Sequence, residues 1–298
     1  METFDSPIEE RTGLTVTSER GERLRNELRA KNLNDVIARI FESDRENISR
    51  DEKRRILTKF DPEFFLHFLP EFGFANLDNF LVLRGFVFEY LVRQEIEGDK
   101  QEKYLGDFIT NCLKNPQIFG VDFARKNPDY IRVTYDERDQ IIFINEVYEI
   151  KLGGLSTVGL GKRGETQLNS FGKNLGVAVG MINRRITELQ KKFKLTKLPD
   201  NGIMPPDLPR LKKILIFPQA TKPFEHDRFN QREAQYARRG WILQQATFSV
   251  EDVDLLTAGL MNEFEDDGRM GQAKAFAHEF EKNEKAWKER MFGDRDKK

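Results

Sequence analysis

Between Ser18 and Phe80, apolar residues such as Leu24, Leu28, Leu33, Val36, Ile37 and Ile40 recur every three or four positions among charged ones. That spacing predicts helices with one buried face. Pro62, Pro70 and the stretch 71–74 interrupt the region, and Asn76 or Asp78 is placed to cap the helix that follows. From Leu81 to Arg93 the chain is apolar nearly all round, as expected of a helix packed on several sides. A connecting helix is predicted around Tyr104 to Leu113. The period then changes from helical to extended: residues 128–135, a polar turn at 136–139, and the β-branched and aromatic runs 141–144 and 147–152 predict a β-hairpin. A glycine-rich loop follows over 153–164, then one or two helices over 166–193 and a proline-punctuated connector over 199–209. Ile214–Phe217 and Trp241–Phe248 read as strands, Asp252–Phe264 as a helix, and the charged tail from Glu279 as a helix or frayed end. There is no internal repeat. The pattern divides the chain into a helical region over 1–80, an α/β core over 81–250, and C-terminal helices with a charged tail over 251–298.

Composition narrows the class. A chain of 298 residues that is 38% hydrophobic and carries 25 Phe can bury a core, which excludes wholesale disorder. Its apolar stretches are broken by charge well short of the roughly 18 residues that a membrane span needs. The first residues lack the basic and apolar pattern of a signal segment, so no membrane partner and a cytoplasmic, intracellular location are expected. The single Cys112 excludes an internal disulfide and a cysteine zinc cluster, while His67, His226 and His278 are scattered. Any metal would be held mainly by carboxylates. The net charge of −1 hides an asymmetry, because from Lys162 to Arg239 17 Lys and Arg stand against 7 Asp and Glu. Such a segment can present a phosphate-binding surface, although on charge alone a solvated lysine-rich helix face explains it equally well.

Glu149 and Lys151 are two apart on a predicted strand, so both leave one face while Tyr148, Ile150 and Leu152 leave the other. An acid and an amine at the end of a core strand call for pairing, a metal or a cleft, since desolvating them alone is costly. The acid-x-Lys pattern also occurs at Asp51/Lys53 and Asp296/Lys298, but only the copy at Glu149 lies in an apolar strand. It alone follows a hairpin partner opened by Pro128-Asp129, which can bring the Asp129 carboxylate beside Glu149.

Pro128-Asp129, the hairpin and Glu149-Ile150-Lys151 resemble the PD-(D/E)XK nucleases. The resemblance covers about Leu81 to Phe248 and implies an α/β, restriction-endonuclease-like core, a mixed central sheet flanked by helices. Gly85 and Glu89 are similar to the small residue and helical acid that many members carry ahead of the sheet. Gln167, with Phe171 four positions on, is similar to a Gln and aromatic pair of several branches. What the resemblance implies is a magnesium-dependent endonuclease on double-stranded DNA, with manganese as the alternative ion and a homodimer as the assembly suited to cutting both strands. Asp129 and Glu149 would hold the ion, Glu89 a second ion or a metal-bound water, and Lys151 would orient the attacking water, with a proton-acceptor role if its pKa is lowered. Lys162, Arg163, Gln167, Lys173, Arg184 and Arg185 would contact nucleic acid.

Other readings stand beside this one. Asp129 alone suits a turn residue after proline, Glu149 with Lys151 a surface ion pair, and Glu89 a helical salt bridge to Arg93. A repair or recombination nuclease on branched or single-stranded DNA or on RNA would use the same core, and a non-catalytic nucleic-acid-binding protein would use only the basic segment. Gly159–Gly164 matches the glycine spacing of a dinucleotide-binding turn, but it begins several residues past the strand end, where that turn needs its first glycine.

Overall fold

The computed structural model describes residues 19–29, 31–43, 49–60, 79–96, 128–152, 210–221 and 223–266. It also describes 102–103, 105–106, 109–110, 175–176, 179–180, 183–184, 202–204 and 207. Two units divide the chain, residues 1–91 with 247–284 and residues 92–246 with 285–298.

In the first unit, residues 19–28 are helical, followed by α1 (Leu33–Ser43), α2 (Ser49–Leu57) and the first twelve residues of α3 (Phe80–Glu95). Polar caps set the helix starts: the Asp35 N–H donates to Asn32 Oδ1 at 2.9 Å, and the Leu81 N–H to Asn79 Oδ1 at 3.0 Å. The cap of α3 is therefore Asn79, where the sequence suggested Asn76 or Asp78; its side chain reaches the free Leu81 N–H of the first turn. Every residue from Phe86 to Arg93 is buried, in keeping with the all-round apolar pattern. The unit closes with α5 (Val250–Asp266), which packs on α1 so closely that a Cβ on Gly259 would lie 2.9 Å from Val36. Within this unit Asp254 is ion-paired with Arg84 at 3.1 Å and Arg20 at 3.3 Å. Burial nonetheless pushes its carboxyl above the ordinary range, with the two guanidinium groups only partly offsetting it.

The second unit carries a four-stranded mixed sheet of β1 (Tyr130–Asp136), β2 (Ile141–Ile150), β3 (Lys212–Gln219) and β4 (Trp241–Ser249), in the order β1-β2-β3-β4, with β4 running on into the first unit. β1 and β2 are the expected antiparallel hairpin, its turn held by Asp136 Oδ1, which accepts from the Arg138 and Asp139 N–H groups at 2.9 and 3.1 Å. β2 pairs in parallel with β3, whose Ile214–Phe217 are all buried, as befits an apolar run covered on both faces. Between β3 and β4 lies α4 (Pro223–Ala237), an element the apolar period did not suggest because only Phe229 and Tyr236 are buried along it. Its ends carry the signals: Pro223 opens it, and Gly240 closes it at φ 75°, a backbone conformation that favours glycine. No described helix is long and apolar enough to cross a membrane.

A polar cross-link ties β1, β2 and β3. Glu146 accepts from Arg132 Nη1 at 3.2 Å, from Lys212 Nζ at 2.9 Å and from the Tyr148 hydroxyl. Burial opposes its charge, but the hydrogen bonds from Tyr148, Lys212 and Arg132 outweigh that and hold its pKa below the ordinary 4.5. A carboxyl depressed on folding stabilises the native state above its unfolded value, and that contribution is lost as pH falls through the native one. Urea unfolding at about pH 5.5 and about pH 3.5 is expected to show a smaller loss of stability for Glu146→Gln than for the parent chain. Equal losses would exclude this role for Glu146.

Candidate active site

The hairpin register builds the site. Because β1 runs antiparallel to β2 with Tyr130 opposite Tyr148, Asp129 is brought level with Glu149 at the C-terminal end of β2. The Asp129 N–H donates to the Tyr148 carbonyl at 2.9 Å and extends the ladder by one residue. On the other side of β2, the Lys151 N–H donates to the Ile216 carbonyl at 2.9 Å, which fixes the backbone beneath the lysine. The point therefore lies at the C-terminal end of β2, beside the middle of the parallel strand β3.

Three of the sequence-derived candidates converge there. Lys151 Nζ is 3.4 Å from Asp129 Oδ2 and is in direct contact with Glu149 Oε1. Asp129 Oδ2 also accepts the Ile150 N–H at 2.6 Å, so the acid is aimed by the backbone of the strand that carries its partners. Glu149 is fully buried, while the side chains of Asp129 and Lys151 are 18% and 21% exposed, which leaves the cluster one open side. Burial disfavours the Lys151 ammonium, but the Asp129 and Glu149 carboxylates outweigh it and raise its pKa above the usual lysine value. A lysine so held stays charged. It can donate hydrogen bonds and stabilise developing negative charge, and the condition for a proton-acceptor role, a lowered pKa, is not met.

Arg93 belongs to the site although the sequence offered it only as a partner for Glu89. Its Nη2 donates to the Asp129 carbonyl at 2.6 Å and its guanidinium lies 5.5 Å from the Tyr130 ring centroid, so it anchors the residue that begins β1. Its position at the end of an apolar helix was the available signal, since a buried guanidinium there needs an acceptor.

Of the other candidates, Glu89 and Arg184 are among the described residues. Glu89 is buried on α3 in the first unit, whereas Asp129, Glu149 and Lys151 are in the second. Arg184 is exposed on a helical residue pair and donates from Nε to the Gly180 carbonyl at 3.2 Å. Lys162, Arg163, Gln167, Lys173 and Arg185 lie outside the described residues, as does the loop 153–164 with its glycine spacing.

Among the described residues no group of three or more His, Cys, Asp or Glu side chains stands together, so the carboxylates available at this point are those of Asp129 and Glu149. Two hard oxygen donors at an open strand end fit magnesium, which binds through one or two carboxylates and retains several waters. No protein-family model, curated protein or solved structure matches the chain.

Proposed function

We propose that the chain is a metal-dependent nuclease that hydrolyses DNA phosphodiester bonds, a restriction-type endonuclease whose mixed sheet and flanking helices are the core of a restriction-endonuclease-like fold. The observation that carries this reading is the convergence of Asp129, Glu149 and Lys151 at the end of β2. Asp129 and Glu149 would hold a magnesium ion, which supplies Lewis-acid stabilisation at the phosphate and lowers the pKa of a bound water. Lys151, fixed by both acids and kept charged, orients the attacking water and faces the negative charge that grows on the phosphoryl oxygens. Arg93 acts through Asp129 and is a positioning residue. The basic segment from Lys162 to Arg239 would supply phosphate contacts for a polyanion.

Supercoiled plasmid incubated with the purified chain is expected to be nicked and linearised with magnesium or manganese and left intact with EDTA. Plasmid, single-stranded DNA and RNA all left intact in both ions would overturn the reading.

A further inference from the structure

The cross-link centred on Glu146 lies three positions before Glu149, so its side chain leaves β2 on the opposite face from the Glu149 and Lys151 pair. The hydrolytic reading makes no use of it. Beside it, a cleft of about 600 Å³ opens between β2 residues 143–146 and Met204, Asp207 and residues 210–212, within the second unit. Its walls combine two chemistries. Phe143 and Met204 are 38% and 46% exposed, two of only four large apolar side chains so exposed among the described residues. Arg132, Lys212 and Arg210 line the same space. A folded chain leaves a phenyl ring and a thioether in water beside fixed cations at some expense, which points to a ligand with an apolar face and an anionic end.

The cations are held ready. Arg132 and Lys212 donate to opposite oxygens of Glu146, at 3.2 and 2.9 Å, which restrains both heads. A guanidinium has five N–H donors and an ammonium three, so each retains donors for a further acceptor. Two cations against one carboxylate leave a net positive charge at the cleft, and Arg210, paired with Asp207 at 3.3 Å, adds no net charge. One phosphate would balance it. The volume lies within the roughly 300 to 1,000 Å³ typical of small-ligand pockets.

We propose that this cleft binds a nucleotide unit, its base against Phe143 and Met204 and its phosphate on Arg132 and Lys212. An aromatic ring can stack on a free base face, and stacking between successive pairs in a duplex hides both faces, so the unit comes from a free mononucleotide or from an unpaired strand. The inference does not rest on the hydrolytic reading: a chain that cuts nothing could still hold a nucleotide here.

The test uses the full chain in EDTA, where a metal-dependent cut cannot occur. Adenosine monophosphate and adenosine are titrated by calorimetry, and a fluorescein-labelled oligothymidine of about ten residues by anisotropy. Saturable binding of the monophosphate, with adenosine weaker by about tenfold or more, identifies a free nucleotide as a source. Binding of the oligothymidine alone identifies an unpaired strand. In either case Phe143→Ala, at an exposed position, weakens binding about tenfold with the melting temperature retained, and Lys212→Gln, which removes the cation together with one donor to Glu146, weakens binding about tenfold with a lowered melting temperature. The proposal is overturned if neither probe binds, if adenosine binds as tightly as its monophosphate, or if both variants bind as the parent does. Should one variant fail to fold, the other decides.

Discussion

Lys151→Ala is expected to reduce plasmid cleavage about a thousandfold, the scale on which removing a preorganised charge-stabilising donor acts. DNA binding in the presence of calcium or without metal should stay within a few-fold of the parent, because the bulk of affinity for a duplex comes from many phosphate contacts. The asymmetry follows from the geometry. The ammonium touches Glu149 and lies 3.4 Å from Asp129, so it balances two carboxylates, one of them fully buried. Without it, like charges close together favour uptake of a proton by one acid, which weakens that acid as a metal ligand. The variant thus loses the donor aimed at the phosphate and perturbs the ion site as well. Lys151→Arg keeps the charge but replaces a compact ammonium by a planar fork, and it is expected to recover only part of the rate. The measurement is the initial rate of nicking over a magnesium titration, with the melting temperature checking the fold. An alanine variant that cuts as fast as the parent would remove Lys151 from the mechanism.

The elements that sequence reading reached are those whose signal is local. The hairpin was legible because alternation, a polar turn and β-branched residues all sit within the stretch 128–152, and the turn chemistry of Asp136 is written in four residues. The meeting of Asp129 with Glu149 was legible for the same reason, since an antiparallel register converts a separation of twenty positions into adjacency. Other features depend on contacts that periodicity does not encode. α4 buries two residues in four turns, so its period is hidden among charged positions and only Pro223 and Gly240 mark it. The packing of α5 on α1 joins segments more than two hundred residues apart, and no local pattern announces it. Arg93 contributes through a backbone carbonyl, a partner with no side-chain signature. Glu146 sits in an apolar run, and a buried acid two residues from Tyr148 was a sign that could have been read.

Lys53→Met is expected to destabilise the first unit by about 3 kcal/mol or more, the scale measured when one member of a buried ion pair is removed. Lys53 is 2% exposed on α2 and its Nζ lies 3.0 Å from Asp252 Oδ2, whose side chain is 4% exposed. Methionine fills a similar volume, so the loss arises from charge more than from a cavity. Asp252 has further partners besides Lys53. Its Oδ2 accepts the Ser249 N–H at 2.8 Å and the Ser249 hydroxyl at 2.9 Å, while the Asp252 N–H donates to Ser249 Oγ at 3.2 Å. This reciprocal arrangement caps α5 at its third residue, where the helix dipole also favours negative charge. Asp252→Asn in the Lys53→Met background keeps an oxygen for the cap and removes the unbalanced charge, and it is expected to restore part of the loss. Urea denaturation of the four chains of the cycle reads the coupling directly. Additive effects would mean that the lysine and the aspartate act independently, and the buried pair would then not be what joins α2 to the start of α5.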